Sequence, residues 1–374
     1  MCACGADARF VSWRAKTVMS LLGPIRLSRP YYHCRHCRQG GSPWDAALGL
    51  GAQRNTPAAA QAIALAGSLT SFQEAAQKTL RKLSGLVVSE STVERTTEQA
   101  GARLAVLLRE DQFVVDDRHW DWNRDAQGKT CAYVELDHTG VAQQGPGGAA
   151  AEGRMAGVGL IFNPPDEQGR GGECRYLSGL YDLEELGRQL RRYGNQVGLH
   201  RTQQWIALTD GANGLEEVVR RHFPLAECIL DFWHASEHVA ALARALHPGD
   251  EAAFQERFQT WRRRLKEEGG AALLAEWESL DLSQAGPALR EAHADQVRYF
   301  RNQVHRMDYP RYRAQGWRIG SGAVEAACKT VVGQRLKGSG MRWGEDGADH
   351  VCHLRALYLS EPRLWEAFWK EHPN

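Results

Sequence analysis

The sequence predicts an α/β protein whose mixed sheet lies in the middle of the chain, behind a cysteine-clipped, strand-rich start and a small helical region. Three observations predict this. Two close cysteine pairs bracket short alternating runs near the N-terminus, Thr56 to Leu108 carries an apolar helical period, and from Cys131 onward β-branched runs alternate with helical ones. With 374 residues the chain is long enough for two or three domains and a sizeable core.

Cys2 and Cys4 stand as C-x-C in "MCACG", and Cys34 and Cys37 as C-x2-C in "YHCRHCRQG". Two close thiolate pairs separated by strand-forming residues suit one tetrahedral, structural Zn²⁺, with His33 or His36 as alternative ligands. Residues 1–45 are therefore expected to form a zinc-ribbon-like domain. The other five of the nine cysteines are scattered, and an odd total in a chain without a secretory signal does not describe a disulfide framework.

Residues 46–115 are expected to form a small helical domain. "TPAAAQAIALAGSL" opens on Thr-Pro, "SFQEAAQKTLRKLSG" follows a Ser cap and ends in Gly, and "SESTVERTTEQAGARLAVLL" offers Ser caps before an apolar period. The last two can form a helix-turn-helix with Leu86 to Ser89 as the turn, offering Thr92, Glu94, Arg95 and Thr96 to a DNA groove. Three-helix packing without a DNA role is the competing reading.

Beyond the linker, residues 130–374 read as one α/β domain. "CAYVELDHTGV" is a strand with Asp137 near its end, "MAGVGLIF" and "CRYLSGLY" are two more, joined by turns at Gly145 to Gly153 and Asp166 to Gly172. A helix, a short strand ending in Asp210, a second helix and a strand leading to Asp231 and His234 follow. The order β-β-β-α-β-α-β describes a ribonuclease H-like mixed sheet, in which the first and fourth strands are neighbours. Residues of about 236–313 form a helical insertion.

In that arrangement Asp137 and Asp210, 73 positions apart, converge. An aspartate before glycine is on its own a turn residue. Two strand-end aspartates followed by a late glutamate instead form a ligand set for a pair of Mg²⁺ or Mn²⁺ ions of the kind that serves phosphodiester chemistry. Asp231 and His234 form an auxiliary pair that could join the metal, hydrogen-bond a ligand or contact DNA.

Net charge is only +1, yet residues 1–110 hold 14 Lys/Arg against 7 Asp/Glu and residues 298–343 hold 10 against 2. Two basic regions flanking an acidic middle suit a polyanion, because clustered cations gain affinity by releasing phosphate counterions. In "GWRIGSGAVEAACK", Glu325 is the one carboxylate of a basic block, at the third helical position if Gly322 is the cap. Lys329, Arg335, Lys337 and Arg342 are expected on phosphates, and Trp343 on an unpaired base. No run approaches the about 18 apolar residues of a membrane helix, so a cytoplasmic, nucleoid-associated protein is expected.

The motifs "VELDHTG", "ALTDGAN", "ILDFWHASEHV", "YFRNQVHRMDYPRYRAQGWRIGSGAVEAACKTVVGQRLKGSGMRW" and "RPYYHCRHCRQGGSPWD" together resemble the bacterial insertion-sequence transposases of the ISKra group, relatives of the Mutator-like transposases with a DDE core. The resemblance implies Asp137, Asp210 and Glu325 as the catalytic, metal-binding triad, with Asp231 and His234 matching an acidic-x2-His signature. It also implies two Mg²⁺ or Mn²⁺ ions, cleavage at transposon ends in double-stranded DNA, 3′-hydroxyl transfer to target DNA, and a homo-oligomer on DNA. Two other functions stand beside it: a zinc-ribbon and helix-turn-helix DNA-binding protein whose core is inactive or domesticated, and a ribonuclease H-like nuclease without strand transfer.

Overall fold

The computed structural model describes residues 2–50, 54–115, 119–165, 172–212 and 214–371. The chain begins with β1 (Ala8–Ser20), β2 (Gly23–Cys34), β3 (Gly40–Gly41) and α1 (Pro43–Ala47). Next come α2 (Pro57–Leu69), α3 (Phe72–Glu74) continuing through a π-helical turn into α4 (Arg81–Leu83), and α5 (Glu90–Arg109). Then follow β4 (Cys131–Gln144), β5 (Ala150–Phe162), β6 (Cys174–Gly179), α6 (Leu183–Gln196), β7 (Gln204–Thr209), α7 (Leu215–His222) and β8 (Ala226–Leu230). The remainder is helical: α8 (Phe232–Leu246), α9 (Glu251–Glu268), α10 (Gly270–Glu278), α11 (Pro287–Gln303), α12 (Tyr309–Ala314), α13 (Gly322–Ala327), α14 (Gln334–Leu336), α15 (Glu345–Leu359) and α16 (Pro362–Glu371). The turn expected at Asp166 to Gly172 falls, up to residue 171, outside the described residues.

These elements form two compact units. One comprises Met1–Val115, Val141–Arg154 and Val331–Asn374, the other Asp116–Gly140 and Met155–Thr330. In the first, β1 and β2 pair antiparallel from Ala8↔Cys34 to Ser20↔Gly23. The helices start where the hydroxyl caps predict: Thr56, Ser71 and Ser89 accept from the backbone N–H groups of Ala59, Glu74 and Thr92. Ile63, Ala75, Leu80, Leu86 and Val93 make a common core. Gly101 of α5 lies so near α15 that an added Cβ would stand 2.3 Å from the His350 carbonyl oxygen.

The second unit holds a five-stranded mixed sheet of order β6-β5-β4-β7-β8. β4 and β7 pair parallel from Cys131↔Gln204 to Glu135↔Leu208, and β7 and β8 from Trp205↔Ala226 to Thr209↔Leu230. All six residues of β7 but Gln204 are buried, as a central parallel strand requires. In the helical segment after β8, Trp261, Trp277 and Phe300 pack ring against ring at centroid separations of 5.4 and 4.3 Å.

Two expectations about boundaries are corrected. Asp137 is not at the end of its strand, because β4 continues to Gln144 alongside β5; only the pairing with β7 stops before it. The helix after β8 begins at Phe232, ahead of the expected start at about residue 236, because the Asp231 side chain caps it by accepting from Trp233 N–H at 2.7 Å.

Candidate functional site: an acidic cavity and a cysteine cluster

The strand register positions the acidic side chains. Pairing of β4 with β7 keeps a constant offset of 73 residues, from 131↔204 to 135↔208, and Asp137 and Asp210 continue it two residues past the last pair. Pairing of β7 with β8 keeps an offset of 21, ending at Thr209↔Leu230, and Asp210 and Asp231 continue that. Three aspartates therefore stand in one row just past the carboxyl end of the parallel pairing of three adjacent strands, the end of such a sheet where ligands bind. With Glu325 and His234 they line one cavity of about 140 Å³, together with Leu136, Trp233, Glu237, Ser321 and Val324.

Each acid is held differently. Asp137 is half-buried; burial pushes its carboxyl above the ordinary value, with the Asp210 charge adding to the effect and hydrogen bonds from His138 N–H and the Cys328 thiol opposing it. Asp210 accepts from Ala212 N–H at 2.9 Å, closing its own turn. Glycine is needed next in line, since a Cβ on Gly211 would lie 2.0 Å from the Tyr299 hydroxyl. Asp231 is buried, and both its oxygens are engaged, one by Trp233 N–H and the other by the Ser321 hydroxyl. Ser321, not Gly322, is the residue before α13, so Glu325 is the fourth helical residue and projects from an exposed position. His234 sits on the first turn of α8, its Nδ1 3.6 Å from Glu237.

None of Asp137, Asp210, Asp231 and Glu325 forms an ion pair among the described residues. An uncompensated group of carboxylates on one cavity is the donor set that hard divalent cations take. The three expected ligands do not all converge on one point, however: among the described residues, the cysteines are the one group of three or more His, Cys, Asp or Glu ligand atoms lying within 4.8 Å of one another.

That cysteine group consists of Cys2, Cys4, Cys34 and Cys37. Cys2 and Cys37 sulfurs are 3.4 Å apart and Cys4 and Cys34 sulfurs 3.7 Å, close to the edge of about 3.8 Å in a tetrahedron with Zn–S bonds of about 2.3 Å. The backbone N–H groups of Cys37 and His36 lower the pKa of the Cys34 thiol to about 6, whereas Cys37, though the Gln39 N–H lowers it, is pushed up to about 12 by the Cys2 sulfur and by burial, so the four sulfurs titrate as one group. His33 and His36 are not part of the cluster. Four sulfurs and no open position suit a structural ion.

The expected DNA contacts divide. Arg95, Lys329, Lys337 and Arg342 are exposed, and Arg95 lines a cavity of about 760 Å³ with Arg54, Ser89 and Thr92 at the start of α5. Arg335 and Trp343 are corrections. Arg335 is 2 % exposed, donates to the Gly67 carbonyl at 2.9 Å and lies over the Phe72 and Trp343 rings. Trp343 is 7 % exposed and spends its N–H on the Leu336 carbonyl, so neither reaches a nucleic acid. Thr96 is likewise buried, accepting from Asn55.

Three residues at the cavity were not foreseen. Glu135, fully buried on β4, accepts from Val324 N–H at 2.7 Å and so anchors the helix that carries Glu325; burial pushes its carboxyl up to about 8. Arg306, also buried, donates to the Thr209 hydroxyl at 2.7 Å and the Asp210 carbonyl at 3.4 Å, fixing the end of β7. Ser321 ties the same helix to Asp231. Only the acidic "VELD" spacing hinted at Glu135; nothing local marked the other two.

Fold and site define an α/β protein with an acidic cavity at the carboxyl end of a mixed sheet and a metal-competent cysteine cluster on its N-terminal hairpin. Over residues 8–372 the chain matches the Uncharacterised protein family (UPF0236), and it belongs to that family. No curated protein matches it. No helix among the described residues is long and apolar enough to cross a membrane.

Proposed function

We propose that the protein is a DDE-type DNA transposase, cleaving at insertion-sequence ends and transferring the 3′-hydroxyl strand to target DNA. The observation that carries this is the row Asp137, Asp210, Asp231, set by strand register and completed by Glu325 on a cavity without counter-charge. The strand order supports a ribonuclease H-like core, and the motif resemblance to ISKra-group transposases agrees with it.

Asp137, Asp210 and Glu325 are the carboxylates that would hold a pair of Mg²⁺ or Mn²⁺ ions. Such ions, when bound, supply positive charge to the attacking and leaving oxygens of a phosphodiester. The chain's own part is positioning. Glu135 and the Ser321–Asp231 bond hold the glutamate-bearing helix against the sheet, and Arg306 holds the Asp210 backbone. Arg95, Lys329, Lys337 and Arg342 are assigned to phosphates, the Cys2/Cys4/Cys34/Cys37 cluster to one structural Zn²⁺, and the working form to a homo-oligomer on two DNA ends.

The test uses DNA carrying the sequences that flank the gene. Asp137→Asn, Asp210→Asn and Glu325→Gln should each abolish Mg²⁺-dependent strand cleavage while duplex binding persists. Undiminished cleavage by any one removes that residue from the site. Cleavage with no joining to target DNA assigns a nuclease instead, and binding without any cleavage in the unaltered protein assigns an inactive, DNA-binding copy.

A further inference from the structure

With Trp343 buried, Trp233, 56 % exposed and lying against Gly320, is an exposed aromatic residue beside the basic block's glycines, and three more are exposed together on the cysteine-clipped hairpin and the helix that follows it. Phe10, Trp13 and Trp44 are 50 %, 58 % and 45 % exposed. Their grouping is built. The β1–β2 register shifts between Phe10 and Ser12, leaving Val11 as an extra residue, and this bulge lets Phe10 and Trp13, three apart, meet with centroids at 6.3 Å. Phe10 also meets Tyr32 at 5.9 Å, and Trp13 meets Trp44 at 5.9 Å. All three contacts are edge-to-face, at 65° to 73°, so each occupies one face of one ring, and the exposure of Phe10, Trp13 and Trp44 leaves the remaining ring surface to a flat partner.

The surroundings are cationic. Arg9, Arg14, Arg26, Arg35 and Arg38 of the same ribbon and its cysteine loop are exposed, and none forms an ion pair among the described residues; Arg9 and Arg14, next in sequence to Phe10 and Trp13, project from the opposite face of the ribbon, Arg14 over the Tyr31 ring. The first 50 residues hold only two acids, Asp7 and Asp45, and Asp45 is already bound by Arg29 and Lys16.

We infer that this face is a stacking platform for the unpaired bases of a single-stranded nucleic acid, with the arginines on its phosphates. Flat exposed rings on one face of a thin ribbon whose other face and loop carry cations free of ion pairs match a polymer that offers flat faces and negative charge together. A duplex offers the charge but keeps its base faces stacked inside. A protein partner would need acids and apolar groups interleaved at the same spacing. The inference uses only the hairpin and its following helix, and it stands whether or not the acidic cavity cleaves DNA.

The test measures binding by the full-length, zinc-loaded protein in magnesium-free buffer, by fluorescence anisotropy with labelled oligothymidylate of about 20 nucleotides and a duplex of equal length. Trp13→Ala and Phe10→Ala should each weaken oligothymidylate binding about tenfold, with duplex binding within twofold of the unaltered protein. Trp13→Phe should restore most of the loss. Both positions are exposed, and unchanged zinc content and melting temperature show that the hairpin survives. Equal oligothymidylate affinity in folded Trp13→Ala overturns the inference. So does a variant whose only change is loss of self-association in sedimentation, which assigns the face to a second copy of the chain. Catalytic-row variants such as Asp137→Asn should leave oligothymidylate binding unchanged, so failure here and failure of the transposase reading remain distinguishable.

Discussion

Buried charge at single residues makes two predictions. Glu135 has a folded-state pKa of about 8 against an ordinary 4.5, so the unfolded chain releases its proton first as pH rises. The contribution of Glu135 to stability is therefore greatest below about pH 4.5, falls through the window up to about pH 8, and is level above it. Glu135→Gln keeps the acceptor for Val324 N–H but has no proton to lose, so in magnesium-free buffer its denaturation free energy should gain on the unaltered protein steadily from pH 5 to 8. A constant difference across that range would show that Glu135 does not titrate there. The second prediction contrasts two arginines of the basic block. Arg335→Ala removes a buried donor and ring contacts and should cost on the order of 3 kcal/mol in thermal stability. Arg342→Ala, at an exposed position, should leave melting unchanged and lower the salt dependence of duplex binding by about one ion. Sequence treated both as phosphate ligands because local charge does not report burial; the carbonyl of Gly67, 268 positions away, decides it.

Elements were more legible than the contacts between them. Hydroxyl caps and apolar periods located α2, α3 and α5, and the β-branched runs located β4, β7 and β8, because these signals lie within one element. Helix α8 begins about four residues ahead of its expected start because the Asp231 carboxylate, expected on a metal, a ligand or DNA, also serves as a cap. Glu135 was missed for a related reason: its partner Val324 is 189 positions distant. On the hairpin, the cysteine spacing was enough to propose a metal clip but not to reveal the bulge at Val11. The clip carries its own prediction. Purified protein should contain one zinc per chain by elemental analysis, and Cys34→Ser should lose it and increase amide exchange along Ala8–Ser20, since structural zinc supplies folding free energy directly. Zinc retained at one per chain in Cys34→Ser would remove that residue from the ligand set.

At the scale of the molecule, chain order and compactness part company. The helices expected as a separate domain at 46–115 share their unit with residues 331–374. Arg355 of α15 donates to the Ser68 carbonyl at 2.8 Å, and Gly101 rests against His350. A fragment ending at Val115 should therefore fail to reach a native core, showing uncooperative melting and dye binding typical of a loosely packed state. Adding residues 331–374 in trans should restore cooperativity in calorimetry; a cooperative transition in the isolated fragment would show that the late helices are dispensable.

The constant pairing offsets along β4, β7 and β8 have a consequence for mutation. A sheet rung counts residues, and a side chain's face alternates with each one. Losing or gaining one codon inside Cys131–Leu136, Gln204–Thr209 or Ala226–Leu230 would turn the following aspartate to the opposite side of the sheet and leave the composition almost untouched. The same change in the connections between those strands alters only a loop. Among related sequences that keep the three aspartates, length variation should therefore be confined to the connections, and a variant of this chain with a frame-preserving insertion within one of these strands should lose whatever activity the acidic cavity has while still folding its hairpin.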